Sequence, residues 1–195
     1  MTSTPRLAVL GSGKGSNFVA IQEAIIVVKL DAQIVLVASD LPDAIILSKA
    51  AAFGLPTATL PPSPFRTKLS PEGEVALVEL LQKHAVEWVI LAGYMRVVKE
   101  PLLSAFPNRI INIHPSLLPA FKGLRAWEQA LNARVFETGC TVHFVNRDID
   151  AGEILAQKRV SIALNDTPES LHARIQIAEH ELYPSALAKV FREVA

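Results

Sequence analysis

The chain has 195 residues, half of them apolar, with 19 Lys+Arg against 19 Asp+Glu and a pI near 7. That length suits one domain with a sizeable core, and the balanced charge excludes a nucleic-acid groove that works by bulk positive potential. Cys140 is the single cysteine, so no intrachain disulfide forms and a reducing compartment is expected.

Met1 to Pro5 is short and polar, and Arg6 to Leu10 is shorter than the apolar stretch of a signal peptide. No run reaches the length of a membrane span, so a soluble, cytoplasmic protein is expected. Leu7-Ala8-Val9-Leu10 reads as a buried strand, and Gly11-Ser12-Gly13-Lys14-Gly15-Ser16-Asn17 as a glycine-rich turn. Phe18, Ile21, Ile25 and Val28 are spaced as the inner face of a helix. Ile34 to Ala38 is a second strand, Ala44 to Phe53 a helix ended by Gly54, and Thr57 to Leu60 a short strand. Pro61 to Pro71, with four prolines and two serines, is a loop. The pattern predicts a helix over Glu74 to His84 with Val75, Val78 and Leu81 inward and Leu77 a fourth candidate. Trp88 to Ala92 is a strand, Leu102 to Phe106 a short helix, and Ile110 to His114 the next strand. Trp127 to Leu131 is a short helix, and Thr141 to Val145 and Ile154 to Ile162 are strands suited to an antiparallel edge pair. Thr167-Pro168-Glu169 supplies an N-cap, a proline at N1 and an acidic first turn. The helix that follows runs toward Val194, with Pro184 expected to break or kink it. Strands alternating with helices predict an α/β fold with a mostly parallel sheet.

Three stretches carry candidate chemistry. The glycine-rich turn lets backbone N–H groups converge at a helix N-terminus, which suits a phosphate; Ser16 and Asn17 add side-chain donors, and a plain tight turn is the other reading. Lys14 is followed by Gly15, not by Ser or Thr, so the turn is not a P-loop. Gly11, Gly13 and Ser16 match a dinucleotide fingerprint only in part, and Asp40, 29 residues after Gly11, is far for its ribose acid. Asn112 and His114 are two apart in a strand and share a face. Pro115 ends the pairing, so the pair lies at a carboxyl edge, where open α/β sheets place ligands. An amide and an imidazole there can polarise a carbonyl and move protons, or they are a satisfied buried pair. Asp148 and Asp150 sit in a turn ending at Gly152.

Ile111-Asn112-Ile113-His114-Pro115-Ser116-Leu117-Leu118-Pro119 closely resembles the signature of the folate-dependent formyltransferases. The resemblance extends in order through Gly13-Lys14-Gly15-Ser16-Asn17, Ala92-Gly93-Tyr94-Met95-Arg96, the turn Asp150-Ala151-Gly152 with Ile154-Leu155, and Gln176, Glu179, His180, Tyr183 and Pro184 in a Q-x-x-E-H-x-x-Y-P pattern. It implies a Rossmann-like α/β fold in one domain over 1–195, an N-terminal half that binds phosphate and a C-terminal half that completes the folate and catalytic site. It implies a catalytic trio of Asn112, His114 and Asp150, with Asp150 beside His114 and Asp148 merely solvated. Gly15, Ser16 and Asn17 would hold a ribose phosphate, and Gln176 and Glu179 would serve the sugar. Lys68 (with Arg66 the alternative), Met95, Arg96, Val97, Val98, Asn112, Asn146 and Asp150 would meet folate.

The turn and the last motif are those of the family's sugar-phosphate branch. The implied reaction moves formyl from 10-formyltetrahydrofolate to the amine of glycinamide ribonucleotide, in purine synthesis, without metal, nucleic acid or membrane, by a monomer or homodimer. Formyl-folate hydrolysis, another formyl transfer, or folate or nucleotide binding without turnover are the alternatives; a tRNA-directed relative would need a further basic domain. His143 matches a position near the site and is expected to orient rather than transfer protons. His84 and His172 read as ordinary helix residues, and Cys140 as packing. Lys122-Gly123 matches the loop after the signature, while Lys14, Arg125 and Trp127 stand where relatives often differ.

Overall fold

The computed structural model describes residues 4–194, and the expectation for Met1–Ser3 lies outside them. In chain order the elements are β1 (Arg6–Leu10), α1 (Ser16–Ile26), β2 (Gln33–Ser39), α2 (Ile45–Ala52), β3 (Thr57–Thr59), α3 (Pro71–Lys83), β4 (Trp88–Leu91), α4 (Glu100–Ala105), β5 (Ile110–His114), α5 (Ala126–Asn132), β6 (Glu137–Phe144), β7 (Ile154–Ser161) and α6 (Pro168–Val194). They build one seven-stranded sheet in the order β3-β2-β1-β4-β5-β6-β7. Pairing is parallel as far as β5 and antiparallel for β6 and β7, with β7 at the edge. The expected α/β, Rossmann-like architecture with a late antiparallel element is the one observed.

Alternation along the strands divides the core. Leu7, Val9, Ile90, Ile111, Ile113 and Val142 face α1, α2 and α6, through Phe18, Ile21, Ile46, Leu171, Ile175 and Leu187. Ala8, Leu10, Leu36, Val89, Leu91 and Ile110 face α3 and α4, through Leu77, Leu81, Leu102 and Phe106. Burial on both faces is why the parallel strands read as continuous apolar runs rather than alternating ones. The order reverses between β1 and β4, so the loops after these two strands diverge and leave a crevice at the carboxyl edge. Ser12 N–H donates to the Gly93 carbonyl at 3.0 Å across that edge.

Several boundaries differ from expectation. α1 stops at Ile26, and Val28 lies beyond it at φ 57°, 84% exposed, instead of facing inward. Lys29 and Leu30 turn back to the Ala24 carbonyl there, so the chain must leave the helix axis before the apolar run ends. α3 begins three residues before the expected Glu74, because Ser70 Oγ accepts the Gly73 N–H and Pro71 takes the first helical position. With that start Leu77 and Leu81 point inward, whereas Val75 is about half exposed. His84 is not within α3 but just past it, its Nδ1 on the Leu80 carbonyl at 2.9 Å. β6 begins at Glu137, four residues earlier than the pattern predicts, since Gly139 and Thr138 hide its alternation. Pro184 does not break α6. The buried side chains on either side of it, Ala178, Tyr183, Leu187 and Val190, are docked on one core, and this packing outweighs one lost backbone hydrogen bond.

Candidate active site

β5 and β6 bring four polar side chains together. Their antiparallel register pairs Asn112 with His143 and His114 with Thr141. Because Ile111 and Ile113 enter the α6-side core, Asn112 and His114 share the opposite face, as expected. Asp150 arrives from the turn between β6 and β7, its Oδ2 3.3 Å from His114 Nδ1. It adopts φ 49°, a left-handed conformation that aspartate tolerates better than most residues. Two residues on, any side chain at Gly152 would meet the Phe144 carbonyl at 1.7 Å, so glycine is what lets the turn fold back on β6. Gly123 N–H donates to Asp150 Oδ2 at 2.8 Å and fixes the carboxylate from the other side.

The carbonyl partners settle which ring nitrogens carry protons. His143 Nδ1 lies 2.7 Å from the Phe144 carbonyl. A carbonyl only accepts, so Nδ1 bears the hydrogen and Nε2 of the neutral ring is an acceptor. Asn112 Nδ2 donates to that Nε2 at 3.3 Å. Burial holds the His143 imidazole below its ordinary value, against the Phe144 carbonyl and Asp150, which pull it up. Its 3.8 Å approach to Asp150 Oδ1 is therefore a neutral contact, not an ion pair. His114 Nε2 donates to the Phe121 carbonyl at 2.9 Å, so a second proton on this ring falls on Nδ1, facing Asp150. The cluster can thus hold an imidazolium against a carboxylate and present the second N–H of Asn112 to a ligand oxygen.

At the other end of the crevice, Gly15 starts α1 at φ 67° with no side-chain cap. A Cβ there would strike Ile46 at 2.8 Å, so the position requires glycine for both conformation and space. The uncapped first turn leaves backbone N–H groups directed outward, a donor set suited to an anion. Ser16 is half-buried and Lys14 exposed. One donor hydrogen of Asn17 is already used within the protein: Nδ2 donates to buried Glu179 Oε2 at 2.8 Å, which leaves its second amide hydrogen. Burial pushes the Glu179 carboxyl up to about 7, with the Asn17 bond pulling the other way. Gln176 lies one turn earlier on α6 and is half-buried.

The segment after β4 is more internally bonded than the sequence suggests. Met95 N–H donates to Ser12 Oγ at 2.9 Å, and Val97 N–H to the Thr67 carbonyl at 2.8 Å. The Arg96 guanidinium is also engaged within the protein: Nε donates to Asp40 Oδ2 at 2.6 Å, and Nη1 to the Phe65 carbonyl. Arg96 and Val98 retain free backbone N–H groups among the described residues, Val98 with its side chain buried. Lys68 Nζ sits 4.5 Å from the Phe65 ring centroid, and Arg66 is exposed. Asn146 shapes its own turn, accepting the Asp148 N–H at 3.0 Å and donating to the Ala151 carbonyl at 3.3 Å. Asp148 is exposed.

A profile described as formyl transferase matches residues 5–187. The chain belongs to the formyl transferase family. It is 42% identical to the phosphoribosylglycinamide formyltransferase of Bacillus subtilis (strain 168), over 95% of this chain and 94% of that protein. A crystal structure of phosphoribosylglycinamide formyltransferase from Bacillus halodurans superposes with a TM-score of 0.91 at 41% identity, covering 97% of both chains. Glycinamide ribonucleotide transformylase 1 from Symbiobacterium toebii gives 0.90 at 44% identity, over 95% of this chain and 86% of that one. The match to the bovine trifunctional purine biosynthetic protein adenosine-3 is 41% identical but spans 18% of that longer protein.

Within this formyl transferase, the remaining motif residues are structural in what they touch. Tyr183 is fully buried, its hydroxyl 3.0 Å from the Leu91 carbonyl and 2.9 Å from that of Ile111. Trp127 stacks on His172, centroids 3.8 Å apart and planes 6° from parallel, so His172 is more than an ordinary helix residue. Burial, and then the charge of Lys14, hold the His172 imidazole below its ordinary value. Arg125, at φ 53°, is exposed, and its guanidinium pairs with Glu128. Cys140 is fully buried and burial pushes its thiol up to about 12, the setting of a packing residue rather than a thiolate nucleophile. His180 has its Nε2 buried without a partner. Among the described residues no group of His, Cys, Asp and Glu is arranged to hold a metal ion. The sequence reading did not anticipate the bonds of His114 to the Phe121 carbonyl and of Asp150 to the Gly123 N–H, nor the Asp40–Arg96 pair. His143 was expected near the site; the strand register adds that it stands opposite Asn112.

Proposed function

We propose that this formyl transferase moves the formyl group of 10-formyltetrahydrofolate to the amine of glycinamide ribonucleotide, giving formylglycinamide ribonucleotide and tetrahydrofolate. The observation that carries this reading is the Asn112, His114, His143 and Asp150 cluster at the carboxyl end of β5. The near full-length likeness to enzymes named for this reaction supports it. The amine attacks the formyl carbon and forms the new C–N bond. The formyl oxygen becomes an oxyanion, which takes the free N–H of Asn112 and replaces the Phe121 carbonyl on His114 Nε2. Asp150 holds the imidazolium at Nδ1 and, through water, passes the amine proton to the folate nitrogen as its C–N bond breaks. Gly15, Ser16 and Asn17 bind the ribose phosphate through backbone N–H groups, Ser16 adding its hydroxyl, with Gln176 and Glu179 at the sugar. Met95 to Val98, Asn146 and Lys68 line the folate side. The chain works as one domain in the cytoplasm, as a monomer or homodimer.

The test is a spectrophotometric assay of tetrahydrofolate release from 10-formyltetrahydrofolate, with and without glycinamide ribonucleotide. Release only with the ribonucleotide is expected. Release without it makes the protein a hydrolase, and binding without release makes it a carrier.

A further inference from the structure

Asp40 has no part in the reading above, yet it is among the most constrained carboxylates in the chain. It follows β2, its side chain is 4% exposed, and both oxygens are committed. Oδ1 accepts from Ser12 Oγ at 2.5 Å and Oδ2 from Arg96 Nε at 2.6 Å. Ser12 in turn accepts the Met95 N–H. Three carboxyl-edge loops, after β1, β2 and β4, are therefore joined through one side chain. The fourth loop is joined by Arg96, whose Nη1 reaches the Phe65 carbonyl, while Val97 N–H reaches Thr67 beside it. At its far end the 61–70 loop is held by Ser70, which caps α3. Its inner scaffold is Ser63, which accepts the Phe65 N–H at 3.2 Å and donates to the Lys68 carbonyl at 2.9 Å, with Leu69 as the buried anchor. Lys68 rests on the Phe65 ring. Whatever fixes Phe65 therefore also fixes Lys68.

We propose that Asp40 is a positioning residue for the folate side of the site: it aims the Arg96 guanidinium at the Phe65 carbonyl and so clasps the 61–70 loop onto the segment after β4. This rests on the assignment of that side to folate under the proposed function. A charge-assisted bond between two buried groups is stronger and more directional than a neutral one. A guanidinium can serve a carboxylate and a carbonyl at once, because its donors form a fixed planar fork. The clasp fixes the orientation of Lys68 without Asp40 touching the ligand.

Asp40→Asn keeps an acceptor for Ser12 but sets an amide N–H against Arg96. Its KM for 10-formyltetrahydrofolate should rise roughly tenfold, with kcat and the KM for the ribonucleotide within about twofold of wild type. Amide hydrogen exchange at Phe65 and Val97 should quicken, and exchange in the sheet should not. Arg96→Lys keeps a charge beside Asp40 but cannot reach Phe65 as well, so it too should raise the folate KM and quicken exchange at Phe65 and Val97, should Asp40→Asn fail to fold. An unchanged folate KM in the folded variants overturns the proposal. So does an equal rise in both KM values with faster exchange throughout, which is ordinary loss of core. If the wild type transfers no formyl group, the functional reading fails by itself. The exchange arm then decides the clasp: quickening at Phe65 and Val97 upholds it, and no change removes it.

Discussion

His114 spends its Nε2 hydrogen on the Phe121 carbonyl and turns Nδ1 to Asp150, so the ring is poised but not free. In the proposed mechanism a ligand oxygen takes that hydrogen in place of the Phe121 carbonyl. Asp150, held by Gly123, sets a carboxylate 3.3 Å from His114 Nδ1 in a part of the site little exposed to solvent. Asp150→Asn preserves size and the Gly123 bond but removes that charge. Turnover should fall by roughly two or more orders of magnitude while ribonucleotide affinity changes little. A titration of binding alongside steady-state kinetics checks this, and near-wild-type kcat would remove Asp150 from the mechanism.

At the scale of elements, α6 is the one that joins the two ends of the site. Its Glu179 reaches Asn17 at the start of α1, and its Tyr183, one turn later, bonds the Leu91 and Ile111 carbonyls of β4 and β5. A hydroxyl has one hydrogen, so it donates to one of these carbonyls at a time and shares it between adjacent strands. Tyr183→Phe leaves the ring in place and strips the polar contact. Stability should drop by about 1–3 kcal/mol, seen as a lower urea midpoint with an unchanged m-value. A midpoint equal to wild type would mean that packing alone seats the helix. The same helix carries Pro184 without interruption, because its buried face is continuous on both sides of the proline.

For the whole molecule, the buried Glu179 makes stability depend on pH in an unusual sense. Its carboxyl is raised from 4.5 to about 7 in the fold, first by burial. Below the unfolded value both states are protonated and nothing is lost. As pH rises from there through 7, the unfolded chain releases the proton and the folded one holds it. The contribution of Glu179 to stability therefore falls across that window, by on the order of 3 kcal/mol, against the lowered His143, His172 and His180, which act the other way. Asp166 works in the opposite direction: hydrogen bonds from Arg174 lower it to about 2, so its contribution is present at neutral pH and lost as acid approaches that value. Glu179→Gln mimics the protonated acid. The melting temperature of wild type relative to that of the variant should fall between pH 5 and 8. Parallel profiles for the two proteins would show that Glu179 does not titrate in that range.

Local chemistry was enough to read much of this from the chain. Apolar runs gave the buried strands, Thr167-Pro168 gave the start of α6 (Ser170 N–H bonds Thr167 Oγ1), and the i, i+2 spacing put Asn112 and His114 on one face. These features depend on neighbours in sequence, whose geometry the backbone dictates. Three others depend on residues far apart in the chain. The β5–β6 register decided that His143 stands opposite Asn112. The docking of α6 on α1 gave one amide hydrogen of Asn17 to a buried carboxyl. The convergence of loops at the sheet edge took the Arg96 side chain for Asp40 and Phe65. The sequence by itself determined which groups are available, because composition and spacing are written in it. Only the tertiary structure decided which of them are already bonded to one another, because a buried donor takes whatever acceptor the packing brings within reach.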